Sequence, residues 1–212
     1  MPALAANHFA SLTERLNDAL PQTQCTRCGY PDCRAYASAM AESSADINQC
    51  PPGGADGIQR LAALTGRAVL ALNPGNGHEG PRAVALIDEA WCIGCTLCLP
   101  VCPTDAILGT NKLMHTVVEP DCTGCELCIA ACPVDCISLE NVTGEFTGWA
   151  AWSQPQADRA LQRYAFHSRL RLYSVGESSK TSLSLANQAT QTVSKQSIIE
   201  SALARSRAQR LK

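Results

Sequence analysis

Three stretches in the first third of the chain carry the spacing or composition of short helices. In FASLTERLNDAL, residues 9–20, Phe9, Leu12, Leu16 and Leu20 fall on one face, and Pro21 ends the run. The alanine-rich RAYASAMAESSADIN, 34–48, is a good helix former. GADGIQRLAALTGR, 54–67, sets Ile58, Leu61 and Leu64 on one side with Gly66 near its end. NPGNGHEGP, 73–81, breaks the pattern with three Gly and two Pro, which predicts a linker and a domain boundary. Near the other end, QADRALQRYAFHSRLRLY, 156–173, reads as a basic helix with Leu161, Tyr164, Ala165 and Leu172 available for one face. The Ser-, Thr- and Gln-rich stretch 174–197 has little apolar bulk and predicts disorder, and a last short helix is expected over 197–211.

No apolar run approaches the ~18 residues that a bilayer span requires. AVALI at 83–87 is typical of the longest, so no membrane helix is expected and the chain reads as soluble. The first twenty residues lack the basic start, apolar stretch and cleavage site of a secretory signal, which points to a reducing, cytoplasmic compartment.

That compartment changes the meaning of the composition. Aromatic residues are only 5% of the chain, while cysteines number 13. An odd total of thiols in a reducing setting suits metal binding better than a disulfide framework. The net charge of -2 also hides an asymmetry, since residues 1–154 carry 7 Lys+Arg against 16 Asp+Glu and residues 155–212 carry 10 against 3.

The cysteines fall into three sets. Residues 91–108 and 121–138 match at nine of eighteen positions, among them Cys92/Cys122, Cys95/Cys125, Cys98/Cys128 and Cys102/Cys132, so the unit is duplicated. Each copy reads C-x2-C-x2-C-x3-C-P, the run of bacterial proteins with two [4Fe-4S] clusters. In that arrangement three thiolates from one tight loop join the distant fourth from the other copy. Cys92, Cys95 and Cys98 would then share a cluster with Cys132, and Cys122, Cys125 and Cys128 with Cys102. Gly94 and Gly124 suit a close approach of backbone to cluster. Structural zinc competes for such thiols, but it is normally bound by two separated pairs, not by three cysteines within seven residues. Cys136 aligns with Ala106 and is surplus to eight ligands; it is expected to be a small buried side chain beside the cluster.

The amino-terminal set Cys25, Cys28, Cys33 and Cys50, spaced C-x2-C-x4-C-x16-C, is again a compact triplet plus one remote thiol and predicts a third [4Fe-4S] cluster. His8, His78, His115 and His167 are scattered, and neither a dinucleotide fingerprint nor a phosphate-binding loop is present. The chain therefore shows no nucleotide site and no substrate-converting site of its own.

The stretches LPQTQCTRCGYPDCRAYA, INQCPPGG, WCIGCTLCLPVCPTDAI and MHTVVEPDCTGCELCIAACPVDCI, in that order, resemble the RnfB/RsxB family, a component of the Rnf/Rsx electron-transport complex, over roughly residues 12–140. The first module alone is similar to the iron-sulfur domain of corrinoid proteins in one-carbon metabolism, a weaker match. The main resemblance implies an α+β chain. Residues 1–72 would form a small helical iron-sulfur domain, 82–141 a bacterial 2[4Fe-4S] ferredoxin-like domain with repeats at about 82–111 and 112–141, and 142–212 a basic helical and disordered tail. It implies an electron relay through three [4Fe-4S] clusters, partnered by the other subunits of a membrane complex. The family usually begins with an apolar membrane helix that this sequence does not show, so peripheral attachment to the cytoplasmic face of the inner membrane is the expected form. One alternative is a stand-alone ferredoxin-like carrier reducing another redox protein or sensor. A weaker one is a regulatory protein binding nucleic acid through the Arg-aromatic pattern of 159–173.

Overall fold

The computed structural model describes the backbone of residues 11–189 and the side chains of residues 11–172. Phe9 and the helix expected over 197–211 lie outside these residues.

The first three helices form where the apolar spacing and composition put them. Helix α1, Leu12–Asp18, starts on a reciprocal cap in which Ser11 Oγ accepts the Glu14 N–H and the Glu14 carboxylate accepts the Ser11 N–H. Helix α2, Cys33–Ala41, is capped by Asp32, whose Oδ1 accepts the Ala35 N–H at 2.7 Å. Helix α3, Gly54–Thr65, stops at Gly66 in the left-handed conformation, φ 70°. Their inward faces bury Leu16, Leu20, Tyr36, Met40, Ile58 and Leu61 with Ile47 from the connecting loop. Each such burial is worth about 1.5–3 kcal/mol. Tyr36 adds a polar anchor, donating to Asp46 O at 2.7 Å and accepting from Gln49 N–H at 3.1 Å. Burial pushes its phenol well above the ordinary range.

The duplicated region is built on short strands. Strand β1, Ala83–Ile87, pairs antiparallel with β4, Ile137–Asn141, in a register that sets Ile87 opposite Ile137. Between them, β2, Ile107–Leu108, pairs antiparallel with β3, Thr116–Val117. A single short helix, α4, Leu127–Ala131, follows the cysteine loop of the second repeat. The core here is small: Ala85, Ile87, Ala106, Ile107 and Ile137, with Cys98, Cys102, Cys128 and Cys136.

The expected linker at 73–81 is fastened along its length. Asn73 N–H donates to Asn48 O, Asn76 Nδ2 donates to Arg27 O, and the Glu79 carboxylate accepts Ala55 N–H at 2.8 Å and Thr147 Oγ1–H at 2.7 Å. A first compact unit continues to Ser168 and a second begins at Arg169.

The tail differs from expectation. Helix α5 runs from Gln154 to Ala189, so residues 174–189, expected to be disordered, are helical, and 190–197 lie outside the described residues. Its first turns are part of the first unit, because Ala157 and Ala160 are buried and small enough to let the helix approach closely. Among the described residues no helix is long and apolar enough to cross a membrane.

Candidate metal centres

Twelve of the thirteen cysteines gather as three groups of four. In the first, the electrostatic neighbours of Cys33 are Cys50, Cys25 and Cys28. Cys25 and Cys28 come from the loop before α2, Cys33 from its first turn, and Cys50 from the loop before α3. In the second, Cys98 neighbours Cys95, Cys92 and Cys132. In the third, Cys128 neighbours Cys125, Cys122 and Cys102. The fourth sulfur of each of the last two groups thus comes from the opposite repeat.

The two repeats reach this arrangement through matching backbone. Gly94 and Gly124 have φ of 66° and 63°, Thr96 and Glu126 of 65° and 67°, and Asp105 and Asp135 of 49° and 50°. The first two pairs fold each C-x2-C-x2-C stretch into a loop with its sulfurs inward, and the aspartates turn the chain after the fourth cysteine. The glycines also make room for neighbouring backbone. A Cβ on Gly94 would stand 2.5 Å from Leu113 N, and one on Gly124 would stand 2.2 Å from Ala83 O, so each lets its loop pass close to another backbone segment.

The sulfurs ring small, apolar cavities. One is lined by Cys102, Cys122, Cys125 and Cys128 with Ala85, Ala106, Ile107 and Val117; the other by Cys92, Cys95, Cys98, Cys132 and Cys136 with Ile87, Val134 and Ile137. Among the described residues no three His, Cys, Asp or Glu side chains converge on one metal ion.

Burial dominates the thiol energetics. It pushes Cys33 and Cys50 far up, Cys125 to about 11 and Cys128 to about 12, with neighbouring sulfurs adding to the shift. Cys132 goes the other way. Burial would raise it, but the N–H groups of Val134, Cys136 and Asp135 and the Cys136 thiol outweigh that and draw it down. Other backbone donors also aim at sulfur: Ala85 N–H to Cys122 at 3.3 Å, Ala106 N–H to Cys102 at 3.2 Å and His115 N–H to Cys92 at 3.4 Å.

Cys136 is a small buried side chain next to the second group, with its sulfur 3.5 Å from that of Cys132. His115 carried no signal of a role in its spacing. Its ring is buried, with Nδ1 3.3 Å from Cys98 Sγ, where the Nδ1–H tautomer would donate to that sulfur. Gly109 makes room for it, since a Cβ there would stand 1.8 Å from His115 Cδ2.

The first group meets the third, not the second that follows it in sequence. Arg27, between Cys25 and Cys28, lies within electrostatic range of both Cys25 and Cys125, and its Nη2 is 2.5 Å from Glu126 Oε1. Thr123 Oγ1 donates to Thr23 O at 3.0 Å, and both residues are buried. Helix α5 clasps both repeats beside the third group. Arg159 and Arg163 pair with the buried Asp121, Arg163 also donates to Thr104 O and Asp105 O, and His167 Nδ1 is 2.6 Å from Asp105 Oδ1. Arg159 and Arg163 of the basic pattern are thus engaged with protein, while Arg169 and Arg171 are exposed.

Comparison with known proteins adds independent findings. A family model described as a 4Fe-4S dicluster domain matches residues 85–139, and an Fe-S cluster family model matches residues 20–52. The chain is similar to proteins named as the B component of an ion-translocating oxidoreductase complex, RnfB. The relative from Azoarcus sp. (strain BH72) is 58% identical over 144 residues, 68% of this chain and 78% of that protein. That from Thiobacillus denitrificans is 52% identical over 144 residues, 68% of this chain and 76% of its own. That from Alkalilimnicola ehrlichii is 51% identical over 156 residues, 73% and 83% respectively.

Proposed function

Since the chain belongs to the RnfB family of ion-translocating oxidoreductase complexes, we propose that it is an electron-transfer iron-sulfur subunit carrying three [4Fe-4S] clusters. Cys25, Cys28, Cys33 and Cys50 hold the first, Cys92, Cys95, Cys98 and Cys132 the second, and Cys122, Cys125, Cys128 and Cys102 the third. The clusters supply reversible one-electron chemistry. The protein binds them through thiolates, excludes water with Ala85, Ile87, Ala106, Ile107 and Ile137, and directs N–H dipoles at sulfur, which favours the more negative, reduced state.

The observation that carries this reading is the crossed grouping, in which each repeat lends its fourth cysteine to the other. Rings of four sulfurs around a cavity suit a multi-atom group. The hydrogen-bonded contact between the first and third loops supports the order first, third, second, with the second cluster as the outer terminal. Electrons enter or leave at the two ends, exchanged with other subunits of an oxidoreductase complex, and the chain works at the cytoplasmic face of the membrane.

Anaerobic iron and labile-sulfide analysis with electron paramagnetic resonance tests the proposal. About twelve irons per chain is expected from three cubanes. About eight would remove the amino-terminal cluster, and stoichiometric zinc would reject the electron-transfer reading.

A further inference from the structure

The duplication sets two equivalent faces side by side for comparison. In the second repeat, Asp121, Thr123 and Glu126 are occupied inside the molecule: Asp121 by Arg159 and Arg163, Thr123 by Thr23 O, Glu126 by Arg27. The equivalent positions in the first repeat are Trp91, Ile93 and Thr96. Trp91 is 70% exposed and Ile93 59%, and Leu97 beside them is 51% exposed. Lys112 N–H donates to Gly94 O at 2.9 Å, which brings Leu113 and Met114, 63% and 59% exposed, against the same loop. Five large apolar side chains thus surround the second cysteine group on its solvent side. An exposed cluster of this kind marks an interaction surface, and Trp is the residue type most enriched where binding energy concentrates.

We propose that this face is the docking port for a separate redox protein presenting an apolar centre with a Lys/Arg rim. The sign of the rim follows from charge. Asp88 and Glu89 are exposed immediately before Trp91. Residues 82–141 hold eight Asp+Glu against two Lys+Arg, and Asp105, Asp121 and Glu126 are already paired internally. The same acidity opposes an anionic lipid surface. A contact at the small end of protein interfaces, below ~1,200 Å², is typical of transient electron-transfer encounters. The inference rests on the electron-transfer reading above and adds where that transfer leaves or enters the chain.

The test uses the full chain, loaded and reduced anaerobically, with a basic c-type cytochrome as protein acceptor and a small neutral quinone as control. Trp91→Ala combined with Leu97→Ser is expected to slow cytochrome reduction about tenfold. Quinone reduction, iron content and the paramagnetic spectrum stay as in the parent. Leu113→Ser with Met114→Ser, outside the cysteine loop, should do the same if the first pair impairs cluster uptake. Asp88→Asn with Glu89→Gln should flatten the fall of the rate with salt. An unchanged cytochrome rate in cluster-loaded variants overturns the port. So does a concentration-dependent dimer that Trp91→Ala dissolves, or flotation with phosphatidylcholine vesicles that depends on Trp91. A parent chain that takes up no iron overturns the electron-transfer reading itself, a result distinct from all of these.

Discussion

The two cysteine-bearing regions hold themselves together by different means. Around the first group stand Leu16, Leu20, Tyr36, Met40, Ile47, Ile58 and Leu61, a helical core that would be recognisable without its thiols. Around the other two groups the largest buried apolar side chains are isoleucines, four of the nine core residues are cysteines, and the paired strands β2 and β3 are two residues each. A core of that size gives little hydrophobic stabilisation. On the three-cluster reading proposed above, the first region would fold by packing and accept a cluster, whereas the second would depend on its clusters for a fold.

Iron removal makes the largest break in this comparison. Chelation under anaerobic conditions is expected to open residues 82–141 to proteases while α1–α3 stay protected, as seen by mass analysis of the fragments. Preferential cutting within 12–65 would reverse the assignment. Next in size, Met40→Ala empties a fully buried site and should cost about 2–5 kcal/mol. The expected signature is a lower melting temperature for the helical signal with the dicluster iron, about eight atoms, retained. Loss of all iron together would show one cooperative unit instead.

Alkaline pH sharpens the contrast in the cluster-free chain. Burial holds Cys33 and Cys50 protonated in the packed helical region, well above the ordinary 9.0. The folded state then binds protons that the unfolded state releases, so this stabilisation is complete below pH 9.0 and is lost as pH rises above it. Circular dichroism melts at pH 8 and about pH 10 should show it, and the loaded chain, whose thiolates are already committed to iron, should lack it. The smallest effect is expected from His115→Ala. Removing one donor to Cys98 forfeits about 1 kcal/mol of stabilisation of the reduced state, so the second cluster's potential should fall by about 40 mV in a redox titration while the first stays put.

Much of the site could be read from spacing because a cubane constrains sequence locally. Three thiolates must come from one tight loop, and a duplicated C-x2-C-x2-C cannot be hidden by variation elsewhere. The helices α1–α3 were legible for a similar reason, since apolar periodicity and caps act over a few residues. The strands were not: β2 and β3 are too short to alternate, and AVALI announced itself only as apolar. The docked start of α5 was also out of reach. Its arginines look like any solvated basic face until Asp121, thirty-eight residues away, is known to be buried beneath them. The continuation of that helix through 174–189 shows that Ser and Thr content alone is a poor guide to disorder. His115 was missed because a lone histidine gains meaning from the sulfur beside it.

Glu79 has a consequence in time. Its carboxylate ties the amino end of α3 to Thr147, and Gly54 and Gly148 carry no Cβ where it sits. While the chain is being made at about 5–20 residues per second, the latch lacks its far half for several seconds after α3 has left the ribosome. During that interval the helical module stands alone, with Cys25, Cys28, Cys33 and Cys50 all in place before the second repeat has been made.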